Sequence, residues 1–306
     1  MNANNDRFGK FRALHHADRP LFLPNAWDHA SAAALAARGF SAIGTTSLGV
    51  AAAAGKPDAA GATREDTVRL ARGLTRLPAL ISVDIEGGFS DHPDRVVELA
   101  VELAEAGVVG VNIEDGRPDG TLTARDRQCA LITAIKDAVP GLFVNARTDV
   151  YWLRDGERPP PGAEDDAHPR GAGPASVRPA GVGPGGPSSG SVAVDRVLGA
   201  AMARARAYQD AGADGLFVPG VDDEHAIATL AEGLDAPLNI LLTPGGPSFH
   251  RLADLGVRRV SCGSLLFRAA VHNAVELAWA LAHEEVTVTG LPSYAEAQAL
   301  AAAFDA

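Results

Sequence analysis

Cysteine is scarce in this chain. There are two, Cys129 and Cys262, far apart and without paired spacing, so neither a disulfide framework nor a zinc site is indicated. Positive charge is short as well: 27 Lys and Arg stand against 38 Asp and Glu, a net charge of −11. A chain this acidic throughout is a poor candidate for binding nucleic acid. No long uncharged apolar run suited to crossing a membrane is evident, and Met1 to Arg7 lacks the apolar core of a leader. The expectation is a cytoplasmic protein with no membrane partner. No Gly-x-Gly-x-x-Gly opens a helix after the first strand, which removes the main support for a dinucleotide fold. What is present is 306 residues, 46% of them hydrophobic. That is enough for one large core, and a single α/β barrel reaches this length.

Short apolar runs alternate with Ala-rich stretches of helical spacing, the pattern of repeated βα units around a parallel sheet. Strands are predicted at 21–28, 42–46, 80–86, 108–114, 142–149, 215–220, 238–242 and 259–263. Helices are predicted at about 29–38, 95–106, 125–138, 195–211 and 266–283, with another after Pro292. Gly39, Gly107 and Gly212 suit helix stops. Thr63-Arg-Glu-Asp66 and Ser293-Tyr-Ala-Glu296 read as capping boxes. Residues 156–192 interrupt the pattern with a run of Gly, Pro, Ala and Ser that has no apolar spacing, and they read as a disordered insertion or a lid. Eight strands alternating with helices predict a single (β/α)8 TIM barrel over residues 1–306, closed by C-terminal helices at 266–306.

The central stretch is Leu80-Ile-Ser-Val-Asp84-Ile-Glu86-Gly-Gly88. In a strand, positions i and i+2 share a face, so Asp84 and Glu86 would point together and repel unless a proton or cation intervenes. A hard divalent cation answers that, since Mg²⁺ takes oxygen ligands and keeps several waters. The competing reading is two solvated loop acids. Barrel enzymes gather their reacting groups at the C-terminal strand ends, and polar residues collect there in this sequence: Asn25, Asp28, Ser47, Asp84, Glu86, Glu114, Arg147, Asp149 and Asn239. Asp84, Glu86 and Glu114 can supply a cation site directly or through water, with Asp58 holding a metal-bound water. Arg147 can pair with Asp149 or Glu114, grip a substrate carboxylate with its planar fork, or both. Thr46, Ser47 and Leu48, followed by Gly49, offer backbone N–H groups to an anion, or form a plain small-residue turn. A cation, an arginine and backbone donors together describe a site for a small 2-oxo acid, whose developing enolate a Lewis acid would stabilise.

These residues resemble the isocitrate lyase/phosphoenolpyruvate mutase superfamily, in its mutase-like branch. The matching pieces are Leu23-Pro-Asn-Ala-Trp-Asp28, Thr45-Thr-Ser-Leu48 with Lys56-Pro-Asp58, Ser82-Val-Asp-Ile-Glu-Gly-Gly88, Val111-Asn-Ile-Glu-Asp115, Asn145-Ala-Arg-Thr-Asp149 and Ala211-Gly-Ala-Asp-Gly-Leu-Phe-Val-Pro219. They follow family order over nearly the whole chain apart from the insertion. The resemblance implies a Mg²⁺-dependent barrel (Mn²⁺ being an alternative) that acts through an enolpyruvate-like intermediate. It implies Asp84, Glu86 and Glu114 at the metal, and Asp58 beside it. Thr46, Ser47, Leu48 and Arg147 would lie on the substrate, with Asn239 a further candidate for contact. It also implies homo-oligomers, dimers or tetramers, that exchange a C-terminal helix, here near 266–283.

The chain departs from the family after the fourth strand. Glu114-Asp-Gly-Arg-Pro-Asp-Gly-Thr-Leu122 carries neither the Lys-Lys-Cys-Gly-His motif of the isocitrate lyases nor the lysine and asparagine of the phosphonate enzymes, and Arg117 is the one local substitute for that lysine. Cys129 and Cys262 read as core residues. The first reading is therefore a C–C lyase or decarboxylase of a small 2-oxo or 2-hydroxy acid. The alternatives are a phosphonate mutase or hydrolase, or a barrel that binds a metabolite without turnover.

Overall fold

Proline cannot donate a ladder hydrogen bond, and the first strand breaks where one stands. Leu21–Leu23 (β1) pairs in parallel with the last strand, Arg259–Ser261 (β9), while Asn25–Ala26 (β2) pairs with Ala42–Thr45 (β3). Pro24 lies between them, and its carbonyl accepts from Gly44 N at 2.9 Å. One side chain ties both edges together. Asn25 Nδ2 donates to Thr45 O at 2.8 Å, and its Oδ1 accepts from Cys262 N at 3.0 Å and Gly263 N at 2.9 Å.

This computed structural model describes residues 3–153, 189–283 and 290–305. The remaining strands are Leu80–Asp84 (β4), Gly110–Glu114 (β5), Phe143–Arg147 (β6), Gly215–Phe217 (β7) and Leu238–Leu241 (β8), all parallel and in chain order from β2 to β9. With β1 and β2 taken as one broken strand, the sheet is the eight-stranded barrel that the sequence predicts. Its surrounding helices are His29–Ala37 (α2), Ser47–Ala53 (α3), Arg64–Leu74 (α4), Pro93–Glu105 (α5), Arg125–Ala138 (α6), Ser189–Asp210 (α7), Glu224–Glu232 (α8) and Phe249–Asp254 (α9). α5 shows why they pack: Val96, Leu99, Ala100, Leu103 and Ala104 recur at helical spacing and all are buried. Most of the expected insertion at 156–192, up to residue 188, lies outside the described residues; α7 begins at Ser189, inside its expected end.

An N-terminal helix, Ala3–Leu14 (α1), caps the opposite end of the barrel from the strand C-termini. Phe11 packs edge-on to Phe143, and His15 stacks on Phe143 with ring centroids 4.3 Å apart. His15 Nδ1 lies 2.8 Å from Phe11 O, which selects the neutral Nδ1–H tautomer as donor. Burial, with the Arg259 charge adding to it, lowers the imidazole pKa from 6.5 to about 3. The folded chain thus binds fewer protons than the unfolded chain between those values. Stability attributable to His15 falls as pH drops through 6.5 and is gone near pH 3. At roughly 1.4 kcal/mol per pKa unit, the whole effect is on the order of 5 kcal/mol. His15→Leu is expected to flatten the acid limb of a urea-unfolding series between pH 6.5 and 4; an unchanged limb would place the acid lability elsewhere.

Two helices end the described chain, Leu265–Ala282 (α10) and Tyr294–Ala302 (α11). The Ser293–Glu296 capping box forms as predicted. α11 lies against α2, with the Phe304 and His29 rings 5.1 Å apart. α10 touches the barrel through Phe267, whose ring is 5.6 Å from Trp27, and none of its residues is buried. By length and composition alone α10 passes for a membrane span, although Arg268 and Glu276 interrupt it and it is not an uncharged run. Val271, Val275 and Trp279 stand exposed on it at four-residue spacing, one stripe along one face.

Candidate active site

The C-terminal strand ends form an acidic basin around one arginine. Arg147, the last residue of β6, forks between two carboxylates: Nη1 is 2.7 Å from Glu114 Oε2 on β5, and Nε is 2.6 Å from Asp149 Oδ1. β5 and β6 pair with Glu114 opposite Arg147, so the ladder itself sets this contact. Phe217 and Trp152 flank the guanidinium, 5.7 and 5.9 Å from its carbon, and shelter it from water. Both pairings expected of Arg147 are present. Its neighbouring acids hold its pKa above the usual arginine range despite burial.

Asp84 ends β4. Its backbone N–H donates to Thr45 Oγ1 at 2.9 Å, and its carboxylate accepts from the backbone N–H groups of Glu86 and Ser47. Glu86 does not continue the strand. It has φ 50°, a left-handed conformation rare for a residue with a side chain. The shared strand face predicted for Asp84 and Glu86 is therefore corrected: a turn brings them together. Glu86 is held in it by Gly61 N at 3.1 Å and Thr63 Oγ1 at 3.1 Å, both from the segment that follows Asp58. Gly88 completes the turn with φ 93°, and a Cβ there would lie 2.4 Å from Val96 Cγ1. Thr63 is the N-cap of α4 but makes no side-chain cap bond. The capping box predicted at 63–66 is replaced by this hydroxyl–carboxylate contact.

Among the described residues, Asp58, Asp84, Glu86, Glu114 and Asp149 crowd around Arg147, and Arg259 acts on Asp84 as well. Burial pushes the Glu114 carboxyl well above its ordinary value, and repulsion from Asp149, Asp84 and Asp58 adds to this against the pull of Arg147. Asp84 is raised by burial, with Asp58 adding to it and Arg147 opposing; Glu86 is raised by burial, with Asp58 and Asp84 adding to it. These mutual effects put Asp58, Asp84, Glu86 and Glu114 in one electrostatic unit. Among the described residues no three acid, His or Cys side chains close tightly enough to enclose a metal by themselves. Both Glu86 oxygens and one Glu114 oxygen already have protein partners. The donor set therefore fits a hard divalent cation that touches few side chains and keeps most of its waters.

The other predicted residues are placed as follows. Thr46 N–H donates to Ala26 O at 3.1 Å within the barrel wall, Ser47 N–H reaches Asp84, and Leu48 follows in the first turn of α3. Asn239 is fully buried and accepts from Ser261 Oγ at 3.3 Å. Arg117 sits on a hairpin closed by a Gly116–Leu122 bridge, 3.8 Å from the exposed Asp91. Cys129 is half-buried on α6 against Ala207 O, and Cys262 is buried beside Asn25. A surface groove of about 580 Å³ lined by His16, Pro237 and Arg258 opens at the N-terminal strand ends, away from this basin.

Sequence reasoning gives Thr63 a capping role and not its contact with Glu86, and it gives Asp115 no role. Asp115 has no exposed surface and takes three hydrogen bonds, one of them from Tyr208 Oη at 2.6 Å. The available signal was its place beside Glu114 at a strand end, since a second acid there must find partners once buried.

Comparisons with known proteins bear on the family and the fold. A protein-family model described as phosphoenolpyruvate phosphomutase matches residues 11–172 and 191–282. An uncharacterised protein of Mycobacterium tuberculosis is 38% identical over 289 residues, 94% of this chain and 95% of that one. An oxaloacetate decarboxylase of Ectopseudomonas mendocina is 30% identical over 267 residues, 85% of this chain and 79% of its own. The crystal structure of a Burkholderia cenocepacia protein, provisionally described as a lyase/mutase, superposes with a TM-score of 0.76 at 31% identity, covering 97% of this chain and 96% of that one. With its barrel, its acidic strand ends and these matches, the chain belongs to the phosphoenolpyruvate mutase family of the isocitrate lyase/phosphoenolpyruvate mutase superfamily, a family of enzymes.

Proposed function

We propose that this chain is a Mg²⁺-dependent lyase or decarboxylase that cleaves a C–C bond of a small 2-oxo or 2-hydroxy carboxylic acid. The observation that carries the reading is the cluster of Asp58, Asp84, Glu86 and Glu114, which act on one another electrostatically beside the Arg147 fork at the C-terminal end of the barrel. The similarity to an oxaloacetate decarboxylase supports the substrate class.

Asp84 would hold the cation directly, with Glu86, Glu114 and Asp58 reaching it through water. When bound, Mg²⁺ supplies a Lewis acid for the charge that develops on the substrate's 2-oxygen. The protein does the rest by position. Arg147, aligned by Glu114 and Asp149, presents its fork to a substrate carboxylate. Phe217 and Trp152 keep water from that contact, which strengthens it. The reading takes Asn239 and the 46–48 turn as further substrate contacts. Cys129 packs against Ala207 O and Cys262 against Asn25, and this reading gives neither thiol a role as acid or base. The reading has the protein working in the cytoplasm as a homo-oligomer, in which the apolar stripe of α10 is covered by another copy.

The test incubates purified protein with Mg²⁺ and a panel of oxaloacetate, 2-methylisocitrate, 2,3-dimethylmalate and phosphonopyruvate, following pyruvate or 2-oxo acid release. Release from a carboxylate that stops with EDTA is expected. Turnover of phosphonopyruvate alone would move the protein to phosphonate chemistry. Silence across the panel while oxalate still raises Tm would overturn the lyase reading for these substrates.

A further inference from the structure

Arg147 is aimed by Asp149, and the backbone of Asp149 is fixed by Asp115. Asp149 N–H donates to Asp115 Oδ1 at 2.8 Å. Asp115 returns to the same strand through its own N–H, which donates to Arg147 O at 3.2 Å. Its other oxygen is gripped from outside the barrel by α7: Tyr208 Oη lies 2.6 Å away and Arg204 Nη1 3.1 Å away. Arg204 Nη1 also lies 2.9 Å from Thr123 O, at the foot of the 116–122 hairpin. Asp149 has little freedom on its other side. A Cβ at Gly116 would lie 2.1 Å from Asp149 Oδ2, so this carboxylate rests against bare backbone.

We infer that Asp115 is a positioning residue for Arg147, and that Tyr208 on α7 clamps it so that Asp149 holds the guanidinium fork in its working orientation. The inference rests on the proposed function for its kinetic consequence and on geometry alone for its structural one. A buried carboxylate with three donors is rigid, and rigidity handed through one backbone N–H to Asp149 reaches Arg147 within two hydrogen bonds.

The experiment compares Tyr208→Phe and Gly116→Ala with wild type in the Mg²⁺-loaded full chain. Tyr208→Phe removes one donor to Asp115 and leaves Arg204. Gly116→Ala pushes on Asp149 from the other side. Two readouts are taken on protein that remains folded at the assay temperature. The first is the split between KM and kcat for the substrate found in the panel. The second is the rate at which phenylglyoxal modifies Arg147, followed by peptide mass spectrometry, which needs no turnover. Each variant is expected to raise KM about tenfold with a smaller change in kcat, and to speed Arg147 modification by a similar factor, in the range usual for loss of a supporting contact. A fall in Tm with KM and modification rate both unchanged would reduce Asp115 to a structural residue. Altered kinetics with an unchanged modification rate would overturn the inference too, by routing the effect elsewhere. If wild type turns over nothing but the modification rate still rises in both variants, the positioning role stands and the functional reading falls.

Discussion

Replacing Asp84 by asparagine is expected to cut Mg²⁺-dependent turnover by about 10²–10³-fold, the scale seen when one group stabilising developing charge is removed. In metal-free buffer the same change is expected to raise Tm, by on the order of 2 °C for each kcal/mol of repulsion relieved in a chain of this size. The sign follows from the direction of the Asp84 shift. Its carboxyl is raised in the folded state, so the folded chain holds the proton more tightly than the unfolded one. Stability from that group is present below its ordinary value of 3.8 and is lost as pH rises through the raised value, so at neutral pH the ionised carboxylate destabilises the basin. Asparagine keeps the shape and the oxygen that accepts from Glu86 N–H but carries no charge. Mg²⁺ should raise Tm of wild type and leave the variant nearly unmoved. A variant that keeps both turnover and the metal-induced shift would remove Asp84 from the cation site.

The second large effect is at Arg147. Arg147→Met takes from Glu114 and Asp149 the guanidinium that both pair with, and their side chains are only 10% and 4% exposed. Removing one member of a buried charge pair typically costs about 3–5 kcal/mol, because the remaining charge stays desolvated. Urea unfolding should report that loss, and the Arg147→Met/Glu114→Gln double variant should recover part of it. Arg147→Lys tests recognition separately. A lysine offers one point charge in place of a fork and cannot align to Glu114 and Asp149 together. It is expected to raise KM by about 10²-fold, the cost of a small misplacement of a positioning group, with less loss of stability than methionine. Equal KM for lysine and arginine would separate the residue from substrate binding.

Much of the barrel was legible because period and punctuation agree. Apolar runs end in polar residues, and Gly39, Gly107 and Gly212 stop helices with φ 102°, 94° and 99°, values that a side chain disfavours. α6 runs over Arg125–Ala138, the same bounds that its spacing predicts. The site was legible as a list of acids and less so as a geometry. Alternation placed Asp84 and Glu86 on one face, but the two glycines after Glu86 let the chain leave the strand at Asp84 and turn. Thr63 opens a helix in a sequence that suits a capping box, and its hydroxyl instead finds a carboxylate 23 residues away. Local patterns weigh only local partners. Asp115 and Tyr208, 93 residues apart, have no sequence rule to connect them. α10 was singled out only through the family resemblance, as the helix exchanged between copies; its exposed apolar stripe of Val271, Val275 and Trp279 shows itself only in the structure, where none of its residues is buried.

The broken first strand sets when this protein can become itself during synthesis. β1 finds its partner in β9, with Leu21 opposite Arg259, and the Asn25 amide waits for Cys262 and Gly263. A nascent chain that has emerged only as far as β8 carries two open sheet edges, the kind of surface that recruits other chains. At roughly 5–20 residues per second, the interval between the exit of β1 and that of β9 is on the order of ten to fifty seconds. Closure also joins residues from opposite ends of the sequence, which is the slow class of contact. For this chain, a pause before Arg259–Ser261 has emerged from the ribosome would prolong the sticky, half-wrapped state, whereas a pause after Gly263 has emerged would leave both edges free to pair.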